Sequence, residues 1–467
     1  METSNSIILL VVAHPADLNQ LTTIPAEIRV QSRQNVNERL SIWRKRAIPV
    51  DIVMQNKEAF CFMLETKNAQ QQDSDPSLRY SDDQVAWLKK ARAFADSIPI
   101  EDVIKSDVEN SFRRDLFERA CQEGMGALPF PTTYGGTGGD YVSFALVNEE
   151  FARRCVPIMS SLGVHVLCQE PVFRFGTEEQ KKKYLVPSAT GKYLAAFGLT
   201  EPNAGSDTAA LETTAKLDSK GKNYILNGTK TFITSGGSAD YYIVMAKVTG
   251  DAHKPFPSPR EEGGKVDTIT AFIVERGFPG FSIGQKFDML GMRGYSTCEL
   301  VFNDCKVPVE ATLGDPGAGR KVALSSLAKG RVTIAAQATG WAQGALDGLI
   351  KVLRDEKSKG MFDESLNGLA SVVGDLVTQV ESARVLTYQA AGAVDNGDTD
   401  VTVASMAKTT ATDAAMKVST EAISVISSLG LQPELLLERI FRDSKAGQIY
   451  EGTNQIQRML IARTLLR

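Results

Sequence analysis

Histidine is scarce in this chain: His14, His165 and His253 are the only three in 467 residues, and they are far apart. That excludes a histidine-based metal site and a histidine-dependent triad, so acid–base chemistry falls to carboxylates. Cysteine is little better represented. The six, at 61, 121, 155, 168, 298 and 305, have no close paired spacing and sit mostly in apolar stretches. They read as reduced core thiols, with neither a zinc site nor a disulfide framework. No apolar run can span a membrane: the one at residues 7–12 is too short, and it lacks the basic flank and small-residue cleavage site of a secretory signal. Charge of one sign is missing too. With 52 basic and 56 acidic residues interspersed and a net charge of -4, nothing recommends nucleic acid or an anionic membrane as a partner. Glu2 and the few early arginines argue against a mitochondrial presequence, so a cytoplasmic location is expected.

What is present suits an ordinary globular chain, 43% hydrophobic and 23% charged, with core enough for two or three packed units. Residues 1–80 form an extension of unknown role that ends in a polar, linker-like stretch at 67–77. Its middle alternates charged with apolar residues, as a packing arm or a partner-binding segment would. From 81 to 194 apolar positions recur every three or four residues (Leu116, Ala120; Phe144, Val147, Phe151), predicting helices broken by a loop at 129–139. From 195 to 310 short β-branched and aromatic runs predict a small β domain, with a hairpin turn at Asn227-Gly228. From 311 to 467 the helical pattern returns at 330–353, 369–394 and 401–428, alanine-rich and suited to bundling. The fold class is α+β.

Two segments carry the chemistry. In Ile449-Tyr450-Glu451-Gly452-Thr453-Asn454-Gln455-Ile456-Gln457-Arg458, a carboxylate stands beside a glycine where a helix can begin. Its backbone N–H is then free to bind an oxygen and its side chain to take a proton. An acid that merely caps a first turn is the alternative. In Phe197-Gly198-Leu199-Thr200-Glu201-Pro202-Asn203-Ala204-Gly205-Ser206-Asp207, small and hydroxylated residues allow close approach to a ring or a phosphate; a plain strand and turn is the alternative. With Asn227-Gly228-Thr229-Lys230-Thr231-Phe232-Ile233-Thr234, Leu290-Gly291-Met292-Arg293-Gly294-Tyr295-Ser296-Thr297 and Gly330-Arg331, these segments resemble the acyl-CoA dehydrogenase family of flavoproteins. The resemblance runs in family order over roughly residues 82–467.

The resemblance implies an N-terminal helical domain, a central small β-barrel or sandwich domain and a C-terminal four-helix bundle. It implies FAD as cofactor, contacted by Phe197, Leu199, Thr200, Gly205 and Ser206, with Phe232, Ile233 and Thr234 covering the flavin face opposite the substrate, and Thr453 and Gln455 also on the cofactor. Phe232 stands where a tryptophan is usual. It implies Glu451 as the base that takes the α-proton of an acyl thioester while hydride leaves the β-carbon for the flavin, and Ser206, Arg331 and Gly452 as substrate-binding residues. A related branch carries its base directly before the arginine that here is Arg331; Gly330 occupies that position, which supports Glu451. On its own, Arg331 also reads as a helix N-terminal charge paired to a structural acid. The expected electron acceptor is an electron-transfer flavoprotein, with oxidase chemistry left open, and the expected assembly is a homotetramer or homodimer.

Some positions depart from the family pattern. Glu356 and Lys359 replace an arginine and a phenylalanine on the pyrophosphate and adenine side, and Asn367 replaces a glutamine. A negative charge beside pyrophosphate is unfavourable. Ser427-Ser428 replace a glycine pair, Ser424 a glutamine, and Ala328 an aspartate near the pantetheine arm. Three readings accommodate these changes: an active dehydrogenase with altered FAD contacts, acting on acyl-CoA or a carrier-protein-bound acyl group; a subunit sharing FAD sites with a paralogous chain; or a flavin-poor, non-catalytic binding or assembly relative. Retention of Glu451, Thr200, Ser206 and Thr453 argues against the third.

Overall fold

The computed structural model describes residues 80–249, 268–358, 366–398 and 400–466, and all that follows concerns those residues. The extension at 1–79 and Lys359 lie outside them, as does the side chain of Asn367.

The first helices start where the sequence supplies caps. α1 (Asp82–Asp96) opens on a capping box in which the Ser81 hydroxyl accepts from Gln84 N–H and the Gln84 side chain accepts in return from Ser81 N–H. α2 (Ile100–Val108) and α3 (Arg114–Gln122) follow. α4 (Tyr141–Arg153) is capped by Asp140 and again by Asp395, whose carboxylate accepts from the N–H groups of Tyr141 and Val142 at 2.6 and 3.1 Å. α5 (Met159–Phe175) is buried on nearly every side, and α6 (Glu178–Ala189) begins with a second capping box, Thr177 with Gln180. The expected loop at 129–139 is there, threaded between α3 and α4 with two short 3-10 turns.

The C-terminal third is built on one long helix, α7 (Gly319–Ser358). It starts eleven residues before the expected 330, because its first turns pack on the sheet: a Cβ on Gly319 would sit 2.8 Å from the Ile269 backbone. Gly330 and Arg331 therefore lie inside the helix, and the reading of Arg331 as an N-terminal helix charge fails. α8 (Leu366–Asp395), α9 (Val401–Ile426), α10 (Leu437–Gly447) and α11 (Asn454–Leu465) complete the helical layer. A stripe of small residues, Ala404, Ala407, Ala411 and Ala415, is buried along α9.

Between the helical parts lies one eight-stranded sheet: β1 (Ala195–Gly198), β2 (Thr214–Leu217), β3 (Asn223–Ile233), β4 (Tyr241–Thr249), β5 (Ile269–Glu275), β6 (Phe281–Lys286), β7 (Cys298–Pro308) and β8 (Thr312–Leu313). Its order is β6-β7-β3-β2-β4-β5-β8, with β1 parallel to β4 beyond the end of β2. β4 and β5 are buried almost throughout and read accordingly as unbroken apolar runs. α5 joins this sheet through His165, whose Nδ1 accepts from Ala195 N–H at 3.2 Å while Nε2 lies 3.1 Å from the Ser188 carbonyl of α6. Burial pulls His165 down to about 4, so the ring is neutral and donates from Nε2.

The hairpin expected at Asn227-Gly228 does not form. β3 runs straight through this pair and shifts register there against β7, a bulge in place of a turn. Asn227 trades hydrogen bonds with Asp304 of β7, donating to its carboxylate at 3.1 Å and accepting from its N–H at 2.9 Å. Gly228 takes φ 147° where β2 crosses, and a Cβ there would meet Thr213 Oγ1 at 2.5 Å. Gly228→Ala should therefore destabilise the protein by about 2 kcal/mol, read as a lower midpoint in urea unfolding with an unchanged slope.

Candidate active site

Glu451 ends the turn that follows α10 and precedes α11. Glu451 (φ 52°) and Gly452 (φ 92°) both take the left-handed conformation, which swings the chain into α11, and Thr453 caps that helix by accepting from Ile456 N–H at 3.3 Å. A non-glycine residue held this way is strained and persists only where its surroundings fix it. They do so from three sides. Lys408 of α9 donates to the Gly452 carbonyl and to Asn454 Oδ1, both at 2.9 Å. Gln457 Nε2 donates to the same carbonyl at 3.1 Å. The Tyr450 hydroxyl donates to Gln337 of α7 at 3.2 Å, and Gln337 in turn donates to Asn148 of α4 at 2.9 Å.

None of these bonds uses the Glu451 N–H or its carboxylate. Glu451 Oε2 is shut off from solvent with no hydrogen-bond partner. Burial raises the carboxyl to about 7, while the positive charges of Lys408 and Arg331 pull the other way. Arg331 is itself buried with an unpartnered Nε; burial lowers its guanidinium and Glu451 opposes that. Gly330 packs directly on the carboxylate, since a Cβ there would lie 2.1 Å from Glu451 Oε2 and 3.0 Å from Leu167 Cδ1 of α5. A side chain at 330 and the carboxylate at 451 thus claim the same space. The group can accept a proton near neutral pH, with a free backbone N–H beside it.

A second constellation lies along β1, β3 and the loop between β1 and β2. Leu199 and Thr200 are half-buried, Gly205 and Ser206 exposed, and Gly205 has open space where a Cβ would be. The Thr200 carbonyl accepts from Thr231 N–H at 2.9 Å, bringing this loop beside the end of β3. There Phe232 (φ 57°) is 55% exposed and stacks on Phe287, ring centroids 4.7 Å apart. Thr234 is half-buried next to it, and the Ile233 side chain is buried in the sheet. Such an open, glycine-containing ledge facing an aromatic ring fits a planar cofactor. Phe197 and Leu199 pack on the cluster containing Cys168 of α5, and Cys168 feels the charge of Glu451, so α5 is a wall common to both constellations. Gln455 faces solvent on α11.

The loop itself rests on a buried ion pair that sequence reasoning missed. Lys230 Nζ lies 2.7 Å from Glu201 Oε1, both side chains being essentially inaccessible. Lys230 also donates to the Leu199 carbonyl at 3.1 Å, and Glu201 accepts from Thr213 N–H at 3.1 Å. Burial pulls Lys230 below the ordinary lysine value. It also pushes on Glu201, but the ammonium and the amide donors more than offset that and hold the carboxyl below its usual range. Both groups are charged at neutral pH.

Family models for the acyl-CoA dehydrogenase N-terminal, middle and C-terminal domains match residues 81–192, 196–305 and 317–466. The chain belongs to the acyl-CoA dehydrogenase family. It is 39% identical over 377 residues to the short-chain specific acyl-CoA dehydrogenase of Clostridium acetobutylicum, covering 80% of this chain and 96% of that one. Butyryl-CoA dehydrogenase from Megasphaera elsdenii superposes with a TM-score of 0.76 at 38% identity, over 84% of this chain and all of the other. A chain in the structure described as electron transferring flavoprotein of Acidaminococcus fermentans matches at 39% identity and a TM-score of 0.76, over 84% and 99%. This family member is thus an FAD-dependent oxidoreductase of acyl thioesters, with the expected helical, β, helical architecture. Among the described residues no helix is long and apolar enough to cross a membrane.

Lys408, Gln457, Glu201 and Lys230 were not singled out from sequence. The available signal for Lys408 was a lysine at the spacing of the buried alanine stripe of α9. Lys230→Met leaves Glu201 charged and buried alone; it should lower stability by about 3 kcal/mol and release FAD, measured as flavin retained through gel filtration. Gly330→Ala should keep the fold and its FAD but displace the Glu451 carboxylate, cutting the rate of flavin reduction by acyl-CoA at least tenfold in stopped-flow measurements.

Proposed function

We propose that this chain removes the α- and β-hydrogens of a short-chain acyl-CoA, with Glu451 as the base. The observation that carries the reading is Glu451 Oε2, buried, unpartnered and backed by two cations, in a family member whose relatives include short-chain specific acyl-CoA dehydrogenases. Taking a proton from carbon next to a thioester needs a carboxylate basic enough to accept it near neutral pH, and burial supplies that basicity. The enolate-like charge that develops on the thioester oxygen needs a donor, and the Glu451 N–H, which no bond within the described chain uses, would supply one. Arg331, Gly452 and Ser206 would hold the thioester and its carrier arm. The second hydrogen leaves as hydride, which no side chain accepts, and accepting it is the chemistry that FAD supplies when bound. Leu199, Thr200, Gly205, Ser206, Phe232 and Thr234 would hold that cofactor, with Phe197, Thr453 and Gln455 at its margin.

An electron-transfer flavoprotein is the acceptor this reading favours, given the Acidaminococcus relative. A cytoplasmic enzyme agrees with the five cysteines among the described residues, all buried and free. A second reading of the assembly is favoured by Ser427, held at φ 52° and ψ -128°, a conformation suited to glycine. With Ser424, Ser427 and Ser428 all exposed, this stretch follows a glycine-like path without a bare glycine surface, as expected if a paralogous chain completes the shared flavin site.

Because the base acts ionised and its carboxyl is raised, kcat/KM for butyryl-CoA should climb about tenfold per pH unit up to about 7 and then level off. Glu451→Gln should lower flavin reduction by butyryl-CoA about 10²- to 10⁴-fold with FAD still bound; a variant that keeps its rate would remove Glu451 from the mechanism.

A further inference from the structure

Lys408 is a fully buried lysine with no carboxylate in salt-bridge range among the described residues, in the middle of the small-residue face of α9. Burying an ammonium is expensive unless its protons are all bound and a negative charge is near. Two of its protons go to the Gly452 carbonyl and Asn454 Oδ1, each at 2.9 Å. Asn454 is held in turn by Thr412 and Asp413, its Nδ2 donating to Thr412 Oγ1 at 2.9 Å and to Asp413 Oδ1 at 2.8 Å. The negative charges that act on Lys408 are Glu451 first and Asp413 second. A neutral donor would serve the carbonyl equally well, so the hydrogen bonds alone do not account for a lysine here.

We propose that Lys408 is a positioning residue of the dehydrogenation: it clamps the Gly452 peptide, and its charge keeps the Glu451 carboxylate ionised behind the substrate. The inference rests on Glu451 being the base. Other titratable groups around Glu451 do not substitute for this role. Arg331 from α7 is the second cation. Cys168 from α5, Tyr141 from α4 and the adjacent Tyr450 also face it, but burial raises all three well above their ordinary values, so they stay neutral through the working range. Around Lys408 stand Glu451, Asp413, Arg331 and Arg458. Burial brings Lys408 down to about 8, with Glu451 and Asp413 opposing, so it is cationic at pH 7.

Two variants of the FAD-loaded protein separate charge from hydrogen bonding. Lys408→Gln keeps a donor for the Gly452 carbonyl and removes the charge, whereas Lys408→Arg keeps both. In Lys408→Gln the acid limb of kcat/KM for butyryl-CoA should move to higher pH by about one unit, because the carboxylate has lost its counter-charge; in Lys408→Arg it should stay where the wild-type limb is. If Lys408→Gln keeps the wild-type acid limb, Lys408 is a structural hydrogen-bond donor only and the inference is overturned. Glu451→Gln run alongside tells that failure apart from a failure of the base assignment: if Glu451→Gln retains turnover, both fall; if it is inactive, only the role of Lys408 does.

Discussion

A carboxylate moved out of water loses its hydration and is driven to protonate unless positive charge stands close by. Glu451 is held at that balance. Burial raises its carboxyl while Lys408 and Arg331 pull it down, and the balance lies at about 7, where it can both hold and release a proton at neutral pH. The rest of the site follows from keeping those three groups in place. α7 contributes Arg331 and the bare Gly330 that makes room for Oε2; α9 contributes Lys408; α10 and α11 bracket the strained turn. Burying each cation costs desolvation that the Glu451 charge opposes, so the arrangement around Glu451 and the helical packing depend on each other.

The sheet uses the same device for another purpose. The Glu201–Lys230 pair sits where the loop after β1 meets β3, satisfying the Leu199 carbonyl and the Thr213 amide that would otherwise be buried unpaired. It fixes the Leu199–Thr200 ledge relative to Phe232, and α5 then relates that ledge to Glu451 through His165, Leu167 and Cys168. Two buried ionic centres and one neutral histidine thus lie on the elements that carry the ledge and Glu451.

Much of this was readable from sequence because the chemistry sits in contiguous segments. Glu451-Gly452-Thr453 leads into a helix, Gly330 lies against the Glu451 carboxylate, and the helical, β, helical order followed from periodicity. The errors arose where distant residues decide. Asn227-Gly228 has the composition of a hairpin turn, but Asp304, far along the chain, and Thr213, just before β2, make it a bulge. The early start of α7 depends on the sheet beneath Gly319, and the importance of Lys408 on a carbonyl 44 residues later. Local patterns report the path of the backbone; which charge faces which across the core is set by packing.

The measurement that bears most directly on this account is an absorption spectrum of the protein expressed alone, taken before and after anaerobic addition of butyryl-CoA. The account predicts a yellow protein whose flavin band bleaches within the mixing time, because one kind of chain supplies the ledge, the base and its two cations. A protein that binds no flavin even when FAD and a paralogous chain are supplied, or a flavin band that no acyl-CoA bleaches, would contradict it.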